Sequence, residues 1–72
     1  MEQGLVQFVK WRRKQLKLTQ VETANRSGVG LRFVRDLEQG KKNLRMDKVN
    51  QVLWLFGHEL GPVKSRRDVE NE

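Results

Sequence analysis

The residues that could do chemistry are few and badly placed for catalysis. His58 is the only histidine, there is no cysteine, and the nine Asp and Glu residues are scattered along the chain. A zinc site of the usual Cys/His kind needs about four such ligands, so the sequence implies no metal centre. No Gly-rich phosphate-cradling pattern is present, and His58 has no evident catalytic partner. The chain therefore reads as a non-enzyme that needs no cofactor. What it does carry is positive charge: 15 Lys and Arg, a net charge of +6 and a pI of about 10.3. Lys64, Arg66 and Arg67 are balanced by Asp68, Glu70 and Glu72, so the excess lies in residues 1–63. A basic surface attracts polyanions, nucleic acid first; a merely solubilising surface is the alternative.

Positioning such charges requires a scaffold, and 72 residues provide for one small domain. A domain this size buries only about 60% of the surface its unfolded chain exposes. With no disulfide or metal to help, regular helix packing and a partner are the remaining supports. No apolar run approaches the roughly 20 residues that span a bilayer, and no signal peptide is evident. A cytoplasmic protein with no membrane partner is expected.

Hydrophobic spacing and punctuation predict an all-α domain of four to five helices. Residues 4–17 read as the first helix, with Leu5, Val9 and Leu16 near one face and Phe8 beside them. Trp11 either flanks the core or meets a partner. Thr19 followed by Glu22 is a capping-box pattern, opening a helix that runs to about Arg26. Ser27-Gly28 stops it, since Gly reaches the left-handed conformation at little cost. Gly30 opens a third helix to about Gln39, burying Val34 and Leu37, with Val29 packing at its entry. Gly40 closes it, and Lys41-Lys42-Asn43 form a basic loop. A fourth helix spans 46–56, with Asp47 near its positive end; Val49, Val52, Leu53 and Phe56 repeat at helical spacing, and Gly57 ends it. Residues 59–63 could be extended, but Gly61 and Pro62 make a poor strand interior. Residues 1–63 thus form the domain, and 64–72 a polar, disordered tail.

The second and third helices, joined through Gly28, make a helix-turn-helix. Leu18-Thr19-Gln20, Ser27-Gly28-Val29 and Asp36-Leu37-Glu38-Gln39-Gly40-Lys41 resemble the phage-repressor-like family, XRE or Cro/C1-type. The resemblance covers roughly residues 5–57. The run from Gly28 to Lys41, followed by Leu44-Arg45-Met46-Asp47-Lys48-Val49, is similar to HipB-type antitoxins, which accompany HipA-type kinase toxins. The resemblance implies a transcriptional repressor that binds a palindromic operator as a homodimer, controls its own operon and binds a HipA-like toxin.

In that geometry the third helix lies in the major groove with its N-terminal residues at base edges. These are Gly30, Leu31 and Arg32, with Asp36 one turn on. By resemblance Arg32 is the best base reader, since its guanidinium can fork to guanine N7 and O6. Leu31 can touch a thymine methyl, and Gly30 lets the backbone approach closely. Asp36 either accepts from a cytosine amino group or orients Arg32. Phe33 is expected to pack inward. Thr19 and Gln20, at the start of the second helix, map onto the family's phosphate contacts, joined by Lys41, Lys42, Asn43 and Arg45 from the loop. Arg35 is open between phosphate and solvent. Arg13 and Glu38 match an Arg–Glu pair that the family holds as a buried salt bridge.

Two departures weaken the expected monomer. Thr23 stands where the family usually has Leu, so a core contact is missing or supplied by Val21. Lys17 stands where the first helix usually ends in Gly, so it is either strained at positive φ or the turn differs. The segment Val52-Leu53-Trp54-Leu55-Phe56 is apolar all round, which leaves Trp54 and Leu55 outside as a dimer interface. By resemblance Leu60 and Val63 would join it through a short C-terminal strand across the dimer; Gly61-Pro62 weakens that carry-over, and helical pairing alone is the alternative. Trp11 and the tail are candidate toxin contacts. A stand-alone phage or restriction-modification type repressor is the nearest alternative, and a protein–protein adaptor without DNA binding is another.

Overall fold

The computed structural model describes residues 4–65. Among them the chain forms four helices and no strand: α1 (Leu5–Gln15), α2 (Gln20–Ser27), α3 (Leu31–Glu38) and α4 (Met46–Leu55). The architecture is all-α, at the lower of the two helix counts expected. Residues 66–72 of the expected tail lie outside the described residues.

Helices of 8 to 11 residues are too short to persist alone in water, so packing must hold them. α2 packs against α3 and α4, and α1 against α3. Val9, Val34, Leu37 and Val52 are fully buried at the centre, with Ala24, Val29, Val49, Leu53 and Phe56 around them. Ala24 is small where α2 meets its neighbours. Phe33 is half-buried and packs against this core, as expected.

The helix ends explain why the elements stop where they do. The Thr19 side chain accepts from the Glu22 N–H at 3.0 Å, and Glu22 accepts from the Thr19 N–H at 2.8 Å. Each helix is followed closely by a left-handed residue: Lys17 (φ 59°), Gly28 (79°), Gly40 (82°) and Gly57 (76°). At α1 the Lys17 N–H donates to Lys14 O and the Leu18 N–H to Arg13 O, both at 3.0 Å. That closure satisfies carbonyls the helix would otherwise orphan. A non-Gly residue in this conformation costs about 1–3 kcal/mol.

Five expectations are corrected. α1 ends at Gln15 rather than 17, because Lys17 turns left-handed. Leu16 consequently leaves the core face and is exposed, and Leu18 enters the core instead. Val21 is exposed and replaces nothing; Thr23 itself is fully buried, its Oγ1 without a hydrogen-bond partner. Leu55, expected outside, is half-buried against the core. The strand considered around Leu60 and Val63 does not form among the described residues. There the Leu60 N–H donates to Asn50 Oδ1 at 2.7 Å instead of to a neighbouring strand.

Candidate nucleic-acid interface

Arg13 joins the helices that carry the candidate interface. Its Nε and Nη2 donate to the two Glu38 carboxylate oxygens at 2.6 and 3.0 Å, and its Nη1 donates to Leu18 O at 2.9 Å. The Gln20 amide adds a bond to Glu38 Oε1 at 3.1 Å. Glu38 is only 4% exposed. A bidentate, charge-assisted pair of this kind is strong and geometrically specific. Here it ties α1, the α1–α2 turn, the start of α2 and the end of α3 together.

On the outward side of α3 a second charged group has a different character. Asp36 lies 3.4 Å from Arg32 Nε and 3.5 Å from Lys41 Nζ, one cation at each carboxylate oxygen. Arg32 is 88% exposed and Lys41 56%. Asp36 therefore faces Arg32 one turn away and reaches the loop after α3, an arrangement that orients Arg32 without sequestering it. Arg35 is exposed on the same helix. Leu31 is half-buried against the core, so only part of its side chain faces outward. Gly30 is the N-cap of α3 with φ −75°, and a Cβ there would meet nothing within 4 Å. Neither backbone conformation nor internal packing requires glycine at that position.

The remaining candidates ring these groups. Thr19 is exposed at the start of α2, its oxygen accepting within the capping box, which leaves its O–H free to donate. Gln20 is half-buried with one amide hydrogen already committed to Glu38. Lys42 and Asn43 are exposed in the loop. Arg45, the N-cap of α4, pairs with Asp47 through Nε at 3.2 Å and Nη2 at 2.8 Å. The Arg45 hydrogen bond holds the Asp47 carboxyl below its usual value; the Thr19 backbone N–H and side chain do the same for Glu22.

Gln51 was not singled out by its sequence. Its amide Nε2 donates to Ser27 O at 3.2 Å and lies 3.5 Å from Gly28 O, fixing the helix-turn-helix turn from α4. The available signal was a polar pair, Asn50-Gln51, set between the apolar residues Val49 and Val52 of α4.

Apolar surface is exposed at both ends of α4, Met46 at its start and Trp54 near its end. Trp54 is 58% exposed, with Nε1 at 3.4 Å from Glu59 Oε1, and Val63 and Met46 are more exposed still. Met46, Leu60, Gly61 and Pro62 line an open cleft of about 570 Å³. Trp11 is exposed beside Phe8, their ring centroids 6.3 Å apart. Phe8 also meets the His58 ring at 4.6 Å. Among the described residues no three His, Cys, Asp or Glu side chains gather as a metal set, and no helix is long and apolar enough to cross a membrane.

Comparison with known proteins places this geometry in context. The model of the helix-turn-helix family matches residues 9–53, from α1 to near the end of α4. An uncharacterized HTH-type transcriptional regulator, y4mF, of Sinorhizobium fredii (strain NBRC 101917 / NGR234) is 51% identical over 45 residues. The match takes in 62% of this chain and 59% of that protein, so the chain spans about three fifths of its relative's length. No solved structure matches.

Proposed function

The chain belongs to the helix-turn-helix family, and we propose that it is a sequence-specific, DNA-binding transcriptional repressor rather than an enzyme. The observation that carries this reading is α3 itself: a short helix held from behind by Arg13 and Glu38, with Arg32 88% exposed on its outer side. Arg32 reads guanine, with Asp36 orienting it. Gly30 and the outward part of Leu31 face the neighbouring bases. Thr19, Gln20, Arg35, Lys41, Lys42, Asn43 and Arg45 hold phosphates, which position the protein without reading sequence. The HTH-type regulator 51% identical over 45 residues supports the regulatory role.

The finer reading is that of a HipB-like antitoxin. Two copies pair through Trp54, with Leu60 and Val63 joining it, and present two α3 helices to a palindromic operator. Half-sites would then lie about 34–36 Å apart. Exposed Trp54 and Val63 support a partner face here, while the absence of the expected strand leaves helix and extended segment to form it. The dimer represses its own operon, and a HipA-like toxin binds a separate surface that includes Trp11.

Selection from a random duplex library, with the mass of the bound complex measured, tests this. A two-fold-symmetric site bound by two copies supports the repressor, and co-purification of a kinase-fold protein encoded beside the gene supports the antitoxin. An enriched site with no such neighbour leaves a stand-alone repressor. No enriched site, with a protein partner present, makes the chain an adaptor.

A further inference from the structure

Three of the four left-handed residues that follow the helices are glycine, and the fourth is Lys17. Among the described residues no side-chain hydrogen bond or ion pair repays a lysine there. Its backbone N–H closes α1, a task any residue performs, and its side chain is exposed. It makes no ion pair among the described residues, whose acids face other groups: Glu38 faces Arg13, Asp36 faces Arg32 and Lys41, Asp47 faces Arg45, and Glu59 faces Trp54. Glu22, the acid nearest in sequence, is taken by the Thr19 N–H. No Asp or Glu occurs anywhere from Gly4 to Val21. Backbone strain retained at a surface position is a reason to look for function there.

The turn that carries Lys17 is rigid and well placed. Leu18 is bonded to Arg13 through both its N–H and its carbonyl, at 3.0 and 2.9 Å. The Gln20 amide reaches Glu38, the last residue of α3, so the turn stands beside the point where Gly40-Lys41-Lys42 leaves that helix. Two separate stretches of chain thus bring exposed lysines to the neighbourhood of one end of α3. We infer that Lys17 is a phosphate-binding residue for the duplex backbone, accepted at the cost of a strained turn. The inference rests on the DNA-binding reading above and adds a contact to it.

Replacing the residue separates charge from strain. Lys17→Gly should raise Tm by roughly 4–8 °C, the shift expected in a domain of this size for relief of a strain near the low end of its range. It should also make the salt slope of log K for a mixed-sequence duplex shallower by about 0.9, the value for one phosphate contact. Lys17→Arg should keep the wild-type slope. A Lys17→Gly protein that is stabilised but keeps both slope and affinity, while Lys42→Ala loses slope, overturns the inference and leaves the DNA reading intact. Wild-type protein with no salt-dependent binding to the duplex overturns both.

Discussion

Arg13–Glu38 and Arg32–Asp36–Lys41 are built from the same chemistry around carboxylates of the same helix, yet they differ in everything that sets their energies. The first is short, bidentate and largely withdrawn from water, with Leu18 and Gln20 filling out its hydrogen bonds. The second is longer, open and monodentate on each side. An exposed pair contributes about 0–1 kcal/mol, so Arg32 can leave Asp36 for a base at little loss. A buried partner left alone costs far more. The inward face of α3 therefore fixes the fold, and the outward face remains available to a ligand.

The largest expected effect falls on the inward pair. Glu38→Ala should destabilise by about 3–5 kcal/mol, because it strands the Arg13 guanidinium; urea unfolding measures it, and a loss under 1 kcal/mol would erase the distinction between the two groups. Arg32→Ala should change stability by less than about 0.5 kcal/mol while costing about 1–3 kcal/mol of base discrimination. Titration of specific and unrelated duplexes by the same variant checks both halves.

Thr23 sharpens the comparison from another side. Glu38 is buried with its partners present; the Thr23 hydroxyl is buried with none. Thr23→Val keeps the shape and removes that unmet hydrogen bond, and should stabilise by about 1 kcal/mol. A thermal melt showing destabilisation instead would mean the hydroxyl is satisfied.

The smallest effect is the response to acid. Glu22 and Asp47 are held below their usual values of 4.5 and 3.8. A depressed folded pKa contributes stability above the unfolded value, which is lost as pH falls through the folded one. The capping box should therefore support the fold fully above about pH 5 and weaken in acid. Glu22→Gln should flatten that part of the stability–pH curve and leave neutral-pH DNA binding unchanged; an unchanged curve would remove Glu22 from the account.

What the sequence disclosed was mostly local. Thr19 and Glu22 stand three residues apart, and Gly28, Gly40 and Gly57 announce their turns, so the starts and stops of α2 and α3 were readable to within a residue or two. The end of α1 was hidden because lysine gives no turn signal, and with it went the exchange of Leu16 for Leu18 in the core. Contacts across long separations were hidden as well. Arg13 and Glu38, 25 residues apart, came only through family resemblance, and the grip of Gln51 on the helix-turn-helix turn came from neither source. Leu55 was misplaced because a helix apolar on every side does not say which side is covered. At the interface, sequence nominated Arg32, Asp36 and the loop lysines, but not that a single carboxylate stands between Arg32 and Lys41.

The most direct test compares Arg32→Ala with wild type on the operator obtained by selection and on unrelated DNA, across salt. The variant should keep an intact fold and near-normal binding to unrelated DNA, with a specificity ratio reduced by roughly 5- to 150-fold. An unchanged ratio and an unchanged footprint would show that the outward face of α3 does not read the bases.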